Sequence, residues 1–181
     1  DGGMTAPCDE ALVFDIQKMK DLGFNMLRKH IKVEPLRWYY HCDRLGMLVW
    51  QDMVSGGEYI SDFLAGVLPF FSIHARDNMY KAFSREKVEW REDFKRELFE
   101  VIDNLYNCVS IGCWVPFNEG WGQFDADKNY RRLKALDPSR IWDATSGWFV
   151  EKESDVTSDH VYFKKIDLKN NPDRPMVLSE F

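Results

Sequence analysis

No apolar run in this sequence is long enough to cross a bilayer. The most apolar window, FLAGVLPFFSI (63–73), is about half the length a membrane helix needs and contains Pro69. No signal peptide is visible. A block of Lys or Arg that could track phosphates is also missing. Together with a net charge of −6 and a pI near 5.3, this argues against a nucleic-acid partner. The four cysteines, Cys8, Cys42, Cys108 and Cys113, form no CxxC pair and are expected to be small buried thiols, not disulfides or a metal site. The four histidines are dispersed and no HxH or HExxH occurs, which weighs against a metal-dependent hydrolase. Neither GxGxxG nor GxxxxGK[ST] follows an apolar run, so no phosphate cradle and no cofactor are expected.

What is present is an ordinary globular composition, 45% hydrophobic and 30% charged over 181 residues, enough for one sizeable core. Aromatic residues make up 15%; such rings can pave a sugar site, though core packing absorbs most of them.

Along the chain, helical and strand patterns alternate. CDEALVFDIQKMKDLG (8–23) has Leu12, Ile16, Met19 and Leu22 at helical spacing, and FNMLRKHI (24–31) reads as a short strand. EPLRWYYHCDRLG (34–46) is a predicted helix with Pro35 for its first turn and Gly46 for its end. MLVWQDM (47–53) has the near-continuous apolar core of a buried parallel strand. A long excursion over 54–84 breaks the rhythm. Helix 86–107, strand CVSIGCWVPF (108–117), helix 126–137 and strand RIWDATS (140–146) follow, then two further strands at 155–163 and 174–181.

Six strands alternating with helices predict an α/β fold with a parallel sheet, either doubly wound or a (β/α)₈ TIM-type barrel. In a barrel, function collects at the carboxyl ends of the strands. Arg28, His30, Asp52, Asn118, Glu119, His160, Tyr162 and Glu180 all fall there, which favours the barrel. Such a barrel typically takes about 250 residues. With only six strands visible, the chain is expected to be a partial barrel domain over 1–181. Missing strands would leave unpaired sheet edges that invite self-association.

Two carboxylates on strand ends, Glu119 and Glu180, suit glycosidic bond cleavage. That reaction needs a proton donor for the leaving oxygen and a second carboxylate at the oxocarbenium-like centre. Acids at barrel strand ends also serve as metal ligands or salt-bridge partners.

The order of motifs narrows this choice. GFNMLRKHIKVEPLRWYYHCDRLGMLVWQDM (23–53), WVPFNEGWGQFD (114–125), SDHVYF (158–163) and PMVLSEF (175–181) together resemble the catalytic barrel of glycoside hydrolase family 2, strands two to seven. This is the family of β-galactosidases, β-glucuronidases and β-mannosidases. The resemblance implies a hydrolase of terminal β-linked sugars, with Glu119 as acid/base, Glu180 as nucleophile and retention of configuration. It implies that Asn118 donates to the sugar 2-hydroxyl, that Arg28 holds Glu180 ionised, and that Tyr162 bonds the nucleophile or the sugar. His30 and His160 are candidates for sugar hydroxyls or for structural roles. His30 lies one position nearer Arg28 than in the SHYP-like stretch usual in the β-galactosidases. Asp52 matches a position that helps bind Mg²⁺ in some members, with a sugar contact or a buried salt bridge as the preferred reading. Trp121 and Trp148 are candidate stacking platforms or packing residues. A uronic-acid substrate would need cations such as Lys29, Lys32 or Lys164. The excursion at 54–84 is expected to wall the pocket, with Arg76, Asp77 and Tyr80 as polar candidates. The resemblance further implies a bacterial parent, soluble and either periplasmic or secreted. The resemblance points first to a β-galactosidase type; the rival readings are a β-glucuronidase or β-mannosidase on the same barrel and a noncatalytic carbohydrate-binding piece. If the barrel reading holds, Glu119 and Glu180 should converge in one cleft with Arg28 against Glu180.

Overall fold

The computed structural model describes residues 6–61, 63–71, 73–162, 165–168 and 171–181. Lys164, and the Phe163 end of the strand expected over 155–163, lie outside the described residues. The order of elements is α1 (Asp9–Asp21), β1 (Met26–Lys29), α2 (Leu36–Leu45), β2 (Leu48–Asp52), α3 (Val88–Leu105), β3 (Ile111–Val115), α4 (Ala126–Leu136), β4 (Ile141–Trp142), β5 (Thr157–His160) and β6 (Met176–Glu180). Two short helical turns, Phe63–Val67 and Pro69–Phe71, interrupt the excursion after β2. Among the described residues no helix is long and apolar enough to cross a membrane.

All strand pairing is parallel, in the order β1-β2-β3-β4 and, separately, β5-β6. This is part of a TIM-type barrel wall, and the described strands do not close it. Because the strands run in one direction, their carboxyl ends share one rim. Asp52 sits opposite Val115, Asn118 bridges to Ser146, and His160 sits opposite Glu180.

The helices cover the sheet through residues spaced by three or four. In α3 the stripe is Phe94, Leu98, Ile102 and Leu105; in α2 it is Trp38, Tyr39 and Cys42. Gly46 ends α2 at φ +68, a left-handed position that glycine adopts without steric cost. Between the layers lie Trp114, Trp142, Met47, Ile111 and Phe117, all buried. Cys42, Cys108 and Cys113 are free and buried, as expected, whereas Cys8 at the start of α1 is exposed.

The strands are shorter than their apolar patterns. Of residues 140–146 only Ile141–Trp142 form a continuous strand, with an isolated bridge at Ser146, because side chains take over backbone groups between them and around them. Asp155 Oδ2 accepts from Trp142 N at 2.9 Å, and Ser154 Oγ accepts from Ala144 N at 3.0 Å. At the start of β3, Asp43 Oδ1 likewise takes Ser110 N at 2.7 Å.

Beneath the sheet, Asp137 ties the start of β4 to β3. It accepts from Trp114 Nε1 at 2.9 Å, Arg140 Nη1 at 2.6 Å and the Ser139 backbone at 3.1 Å. Burial pushes its proton affinity up, but the bonds from Ser139, Trp114 and Arg140 outweigh this and hold the carboxyl at about 2. An ordinary unfolded Asp titrates near 3.9. The charged Asp137 therefore stabilises the fold fully above that value, and the gain disappears as pH falls toward 2. Asp137→Asn is expected to cost about 2 kcal/mol at pH 7. Wild type and variant should converge only as pH approaches about 2, read by urea unfolding across that range.

Candidate active site

Arg28 leaves the end of β1 and points along the rim, where its guanidinium meets three strand ends. Nε and Nη2 grip Asp52 at 3.0 and 2.9 Å, Nη2 also donates to Asn118 Oδ1 at 2.8 Å, and Nη1 donates to Glu180 Oε1 at 2.7 Å. Burial opposes its charge, but Asp52, Glu180 and Asp143 outweigh burial and raise its proton affinity above the ordinary value. Asp52 is completely buried, and burial pushes its own proton affinity up despite Arg28. Of its sequence-level readings, the structure places it as a buried salt bridge. Because a guanidinium only donates, the bond to Asn118 fixes that amide with its oxygen toward Arg28 and its N–H₂ end turned away.

Glu119 sits one residue further on in a strained backbone, with φ +51. Its N–H donates to Ser146 O at 2.9 Å, and Trp121 N closes the turn onto Asn118 O at 3.0 Å. The glycines that follow, Gly120 and Gly122, leave room where a side chain would stand. In the structure that room is filled by protein: a Cβ on Gly120 would overlap the Phe149 ring, and one on Gly122 would overlap the Gly56 carbonyl.

The two carboxylates meet at Tyr162. Its hydroxyl lies 2.8 Å from Glu119 Oε1 and in a short contact with Glu180 Oε2. A phenol carries one proton and can donate to only one of them at a time. Burial, then hydrogen bonding to both glutamates, raises the proton affinity of Tyr162, so the hydroxyl stays protonated. For Glu119, burial pushes proton affinity up, but the bonds from His160 and Tyr162 prevail and hold it below the ordinary carboxylate value.

His160 is fully buried beneath the cleft. Its Nδ1 lies 2.8 Å from Glu119 Oε1, while Nε2 faces Ser146 Oγ at 3.1 Å and Arg28 Nη1 at 3.4 Å. The tautomer with its proton on Nδ1 satisfies both sides, donating to Glu119 and accepting from Arg28. Gly147 makes this seat possible: its φ is +82, and a Cβ there would lie 2.5 Å from His160 Nδ1. His30 is half exposed, with Nδ1 3.3 Å from Glu180 Oε1.

Trp148 stands edge-on to Tyr162, with ring centroids 6.1 Å apart. Trp121 instead packs into a second cluster with Ile60, Leu64, Phe83 and Phe149. That cluster joins the excursion after β2 to the rim. Asp77 and Tyr80 are engaged there with the chain itself: Asp77 Oδ2 accepts from Ala126 N at the start of α4 at 2.7 Å, and Tyr80 donates to Asp125 at 3.0 Å.

Glu119, His160 and Glu180 each present a donor atom within 4.8 Å of the others, a spacing that could hold a metal ion. Arg28, in contact with Glu180 and His160, already supplies positive charge at that point.

Two participants, Asp143 and Ser146, were not singled out from sequence. Asp143 is buried under the site, accepts from Ser158 Oγ at 2.9 Å, and is pushed up to about 6 by burial. Ser146 links the Glu119 turn to His160 and to Ser179. An Asp inside the apolar run RIWDATS was the available signal, matching Asp52 in LVWQD.

A parallel-barrel rim carrying two glutamates, an arginine hub and a bridging tyrosine defines the class as a barrel with a carboxylate-pair site. The family model for "Glycosyl hydrolases family 2, TIM barrel domain" matches residues 5–181. The chain belongs to this family. A β-galactosidase of Halalkalibacterium halodurans is 25% identical over 179 residues, covering 95% of this chain and 17% of that protein. Among solved structures, an FMN-binding β-glucuronidase from Facaelibacterium prausnitzii L2-6 superposes with a TM-score of 0.61 at 22% identity, covering 86% of this chain and 22% of the other. A β-glycosidase from Bacteroides vulgatus gives 0.61 at 19% identity, covering 86% and 18%. A β-galacturonidase from Eisenbergiella tayi gives 0.56 at 21%, covering 84% and 25%. These likenesses establish the fold, and the chain spans about a sixth to a quarter of the length of these relatives.

Removing Arg28 would leave Asp52 buried and unpaired. Arg28→Met is expected to cost about 3–5 kcal/mol. The double variant Arg28→Met/Asp52→Leu should recover much of the loss, measured by denaturant unfolding of both.

Proposed function

We propose that this chain carries the catalytic centre of a retaining exo-β-glycosidase that releases a terminal neutral sugar, of β-galactosidase type. The observation that carries the reading is the spacing of Glu119 and Glu180. Their donor oxygens lie within 4.8 Å of one another and share one tyrosine hydroxyl. Retaining enzymes hold their carboxyl groups about 5–5.5 Å apart, whereas inverting ones need about 6.5–9.5 Å for an intervening water.

In this reading Glu180 attacks the anomeric carbon as the glycosidic C–O bond breaks and Glu119 passes its proton to the leaving oxygen. Water then attacks the glycosyl ester, Glu119 takes its proton, and the Glu180 ester bond breaks to free the sugar. Arg28 keeps Glu180 aligned, and Asn118, held by the same guanidinium, offers its N–H₂ end to the sugar. The lowered proton affinity of Glu119 in the open cleft works against a resting acid. Tyr162 resolves this: when its single proton goes to Glu180, Glu119 loses a donor and its proton affinity rises. As the ester forms, the negative charge on Glu180 is consumed and Tyr162 can turn back to Glu119, which now acts as base.

A neutral glycone is favoured over a uronic acid by the neighbouring cations. Lys29 and Lys32 both pair with Glu34, at 2.5 and 3.0 Å. The relative from H. halodurans, a β-galactosidase by name, points the same way.

A panel of p-nitrophenyl β-glycosides tests the reading. Turnover is expected on a neutral glycoside and abolished in Glu180→Gln. Preference for the glucuronide would overturn the neutral-sugar assignment, and undiminished turnover in Glu180→Gln would overturn the nucleophile. Tyr162→Phe removes a bond that lowers the proton affinity of Glu119. The basic limb of kcat/KM, set by loss of the Glu119 proton, should therefore move to higher pH in that variant.

A further inference from the structure

Outside the rim, one buried charge has no direct ion pair among the described residues, Glu97 acting on it only at longer range. Arg85 is only 3% exposed, and among the described residues no carboxylate lies within salt-bridge distance of it. Its guanidinium stacks on Phe94 of α3, 4.6 Å from the ring centroid, and on Phe124 at 5.5 Å. Nε donates to Gly122 O at 2.9 Å and Nη1 to Trp90 O at 3.2 Å. The remaining nitrogen, Nη2, is sealed from solvent without a hydrogen-bond partner. A Cβ on Gly56 would lie 3.3 Å from it, and one on Gly122 would lie 2.9 Å away. Nη2 itself is sealed and packs as a wedge, while the rest of Arg85 borders a cavity of about 350 Å³ shared with Glu58, Asp93 and Glu97.

Three segments converge on this wedge. Gly56 and Gly57 belong to the excursion after β2, Ser84 and Arg85 end that excursion, and Gly122 lies three residues after Glu119. Glycine is required at Gly57 and Gly122. A Cβ on Gly57 would overlap the Ser84 carbonyl, and one on Gly122 would overlap the Gly56 carbonyl. Ser84 itself is held at φ +62. Burial lowers the proton affinity of Arg85 to about 10, still charged at neutral pH. A lysine could not stack in a plane and reach both carbonyls at once.

We propose that Arg85 is a positioning residue for Glu119: it clamps the excursion after β2 to the Asn118–Gln123 turn and so holds the acid/base in its left-handed backbone. This rests on the reading of Glu119 given above.

The test is Arg85→Met, with Arg85→Lys as the conservative partner, in two measurements. Amide exchange reads the clamp with or without turnover. Losing a buried bond from a charged donor should speed exchange in 118–123 and 55–58 by about tenfold or more, with β3 and α3 unchanged. Unchanged exchange in 118–123, or equal acceleration in β3 and α3, overturns the proposal. Kinetics read the acid. A phenyl β-glycoside, whose leaving group needs a proton, should lose about 100-fold in kcat/KM, which reports the glycosylation step. A 2,4-dinitrophenyl β-glycoside, whose leaving group needs none, should stay within a few-fold in kcat/KM, and Arg85→Lys should recover part of the loss. Equal loss on both substrates overturns the proposal. Glu119→Gln, run alongside, should show the same selectivity. If Glu119→Gln does not, the acid/base assignment fails, while the exchange data still decide the clamp.

Discussion

The guanidinium of Arg28 is the interaction on which this rim depends. Its five N–H groups point in a fixed plane and find acceptors on Asp52, Asn118, Glu180 and the Ser179 carbonyl, with His160 at the margin. One side chain thereby sets the orientation of an amide, aligns a carboxylate and neutralises a buried acid. The cluster is expensive to assemble, since it brings Asp52, Asp143, Glu119 and Glu180 around a single permanent cation. Proton sharing relieves the excess negative charge. Asp143, pushed up to about 6, is the group nearest to holding a proton near neutrality, and Tyr162 places its one proton between the two glutamates.

Behind this hub lies a supporting shell of backbone geometry. Glu119 occupies a left-handed conformation that costs a non-glycine residue about 1–2 kcal/mol. The ladder bridge between Asn118 and Ser146, the packing of Phe149 over Gly120 and the contact of Gly56 with Gly122 restrain it from three sides. Strain of this kind survives only where surrounding contacts over-determine it, and it clusters at sites that need preorganisation. His160 belongs to the same shell. Seated on Gly147, it donates to Glu119 from below instead of standing in the cleft.

Much of the wall was legible in the chain. The apolar stripe of α3, the Pro35 and Gly46 boundaries of α2 and the continuous run of β2 are local signals, and the elements form where those signals fall. Strand lengths were not legible. Asp155, Ser154 and Asp43 replace ladder bonds with side-chain bonds, and no periodicity marks which backbone groups will be taken in this way. The space beside the glycines of the NEGWG stretch is filled by Phe149 and the Gly56 carbonyl, which come from distant parts of the chain and leave no local mark in the sequence. Asp143 went unnoticed for a related reason: an acid in a short apolar run looks ordinary until the fold shows that it lies beneath the site.

By itself, the sequence determined the element types, their parallel order, the family and the placing of Arg28, Asp52, Glu119 and Glu180 at strand ends, because each of these is written in patterns of a few residues. Only the tertiary structure decided which of them touch. Arg28 and Glu180 are 152 positions apart, and His160 and Glu119 are 41 apart. Their contact depends on the register of successive parallel strands and on which side chains the neighbouring loops exclude from the cleft. Those are properties of the assembled wall, so a tyrosine became a proton bridge, a histidine a buried support and an arginine a hub only once the strands were laid side by side.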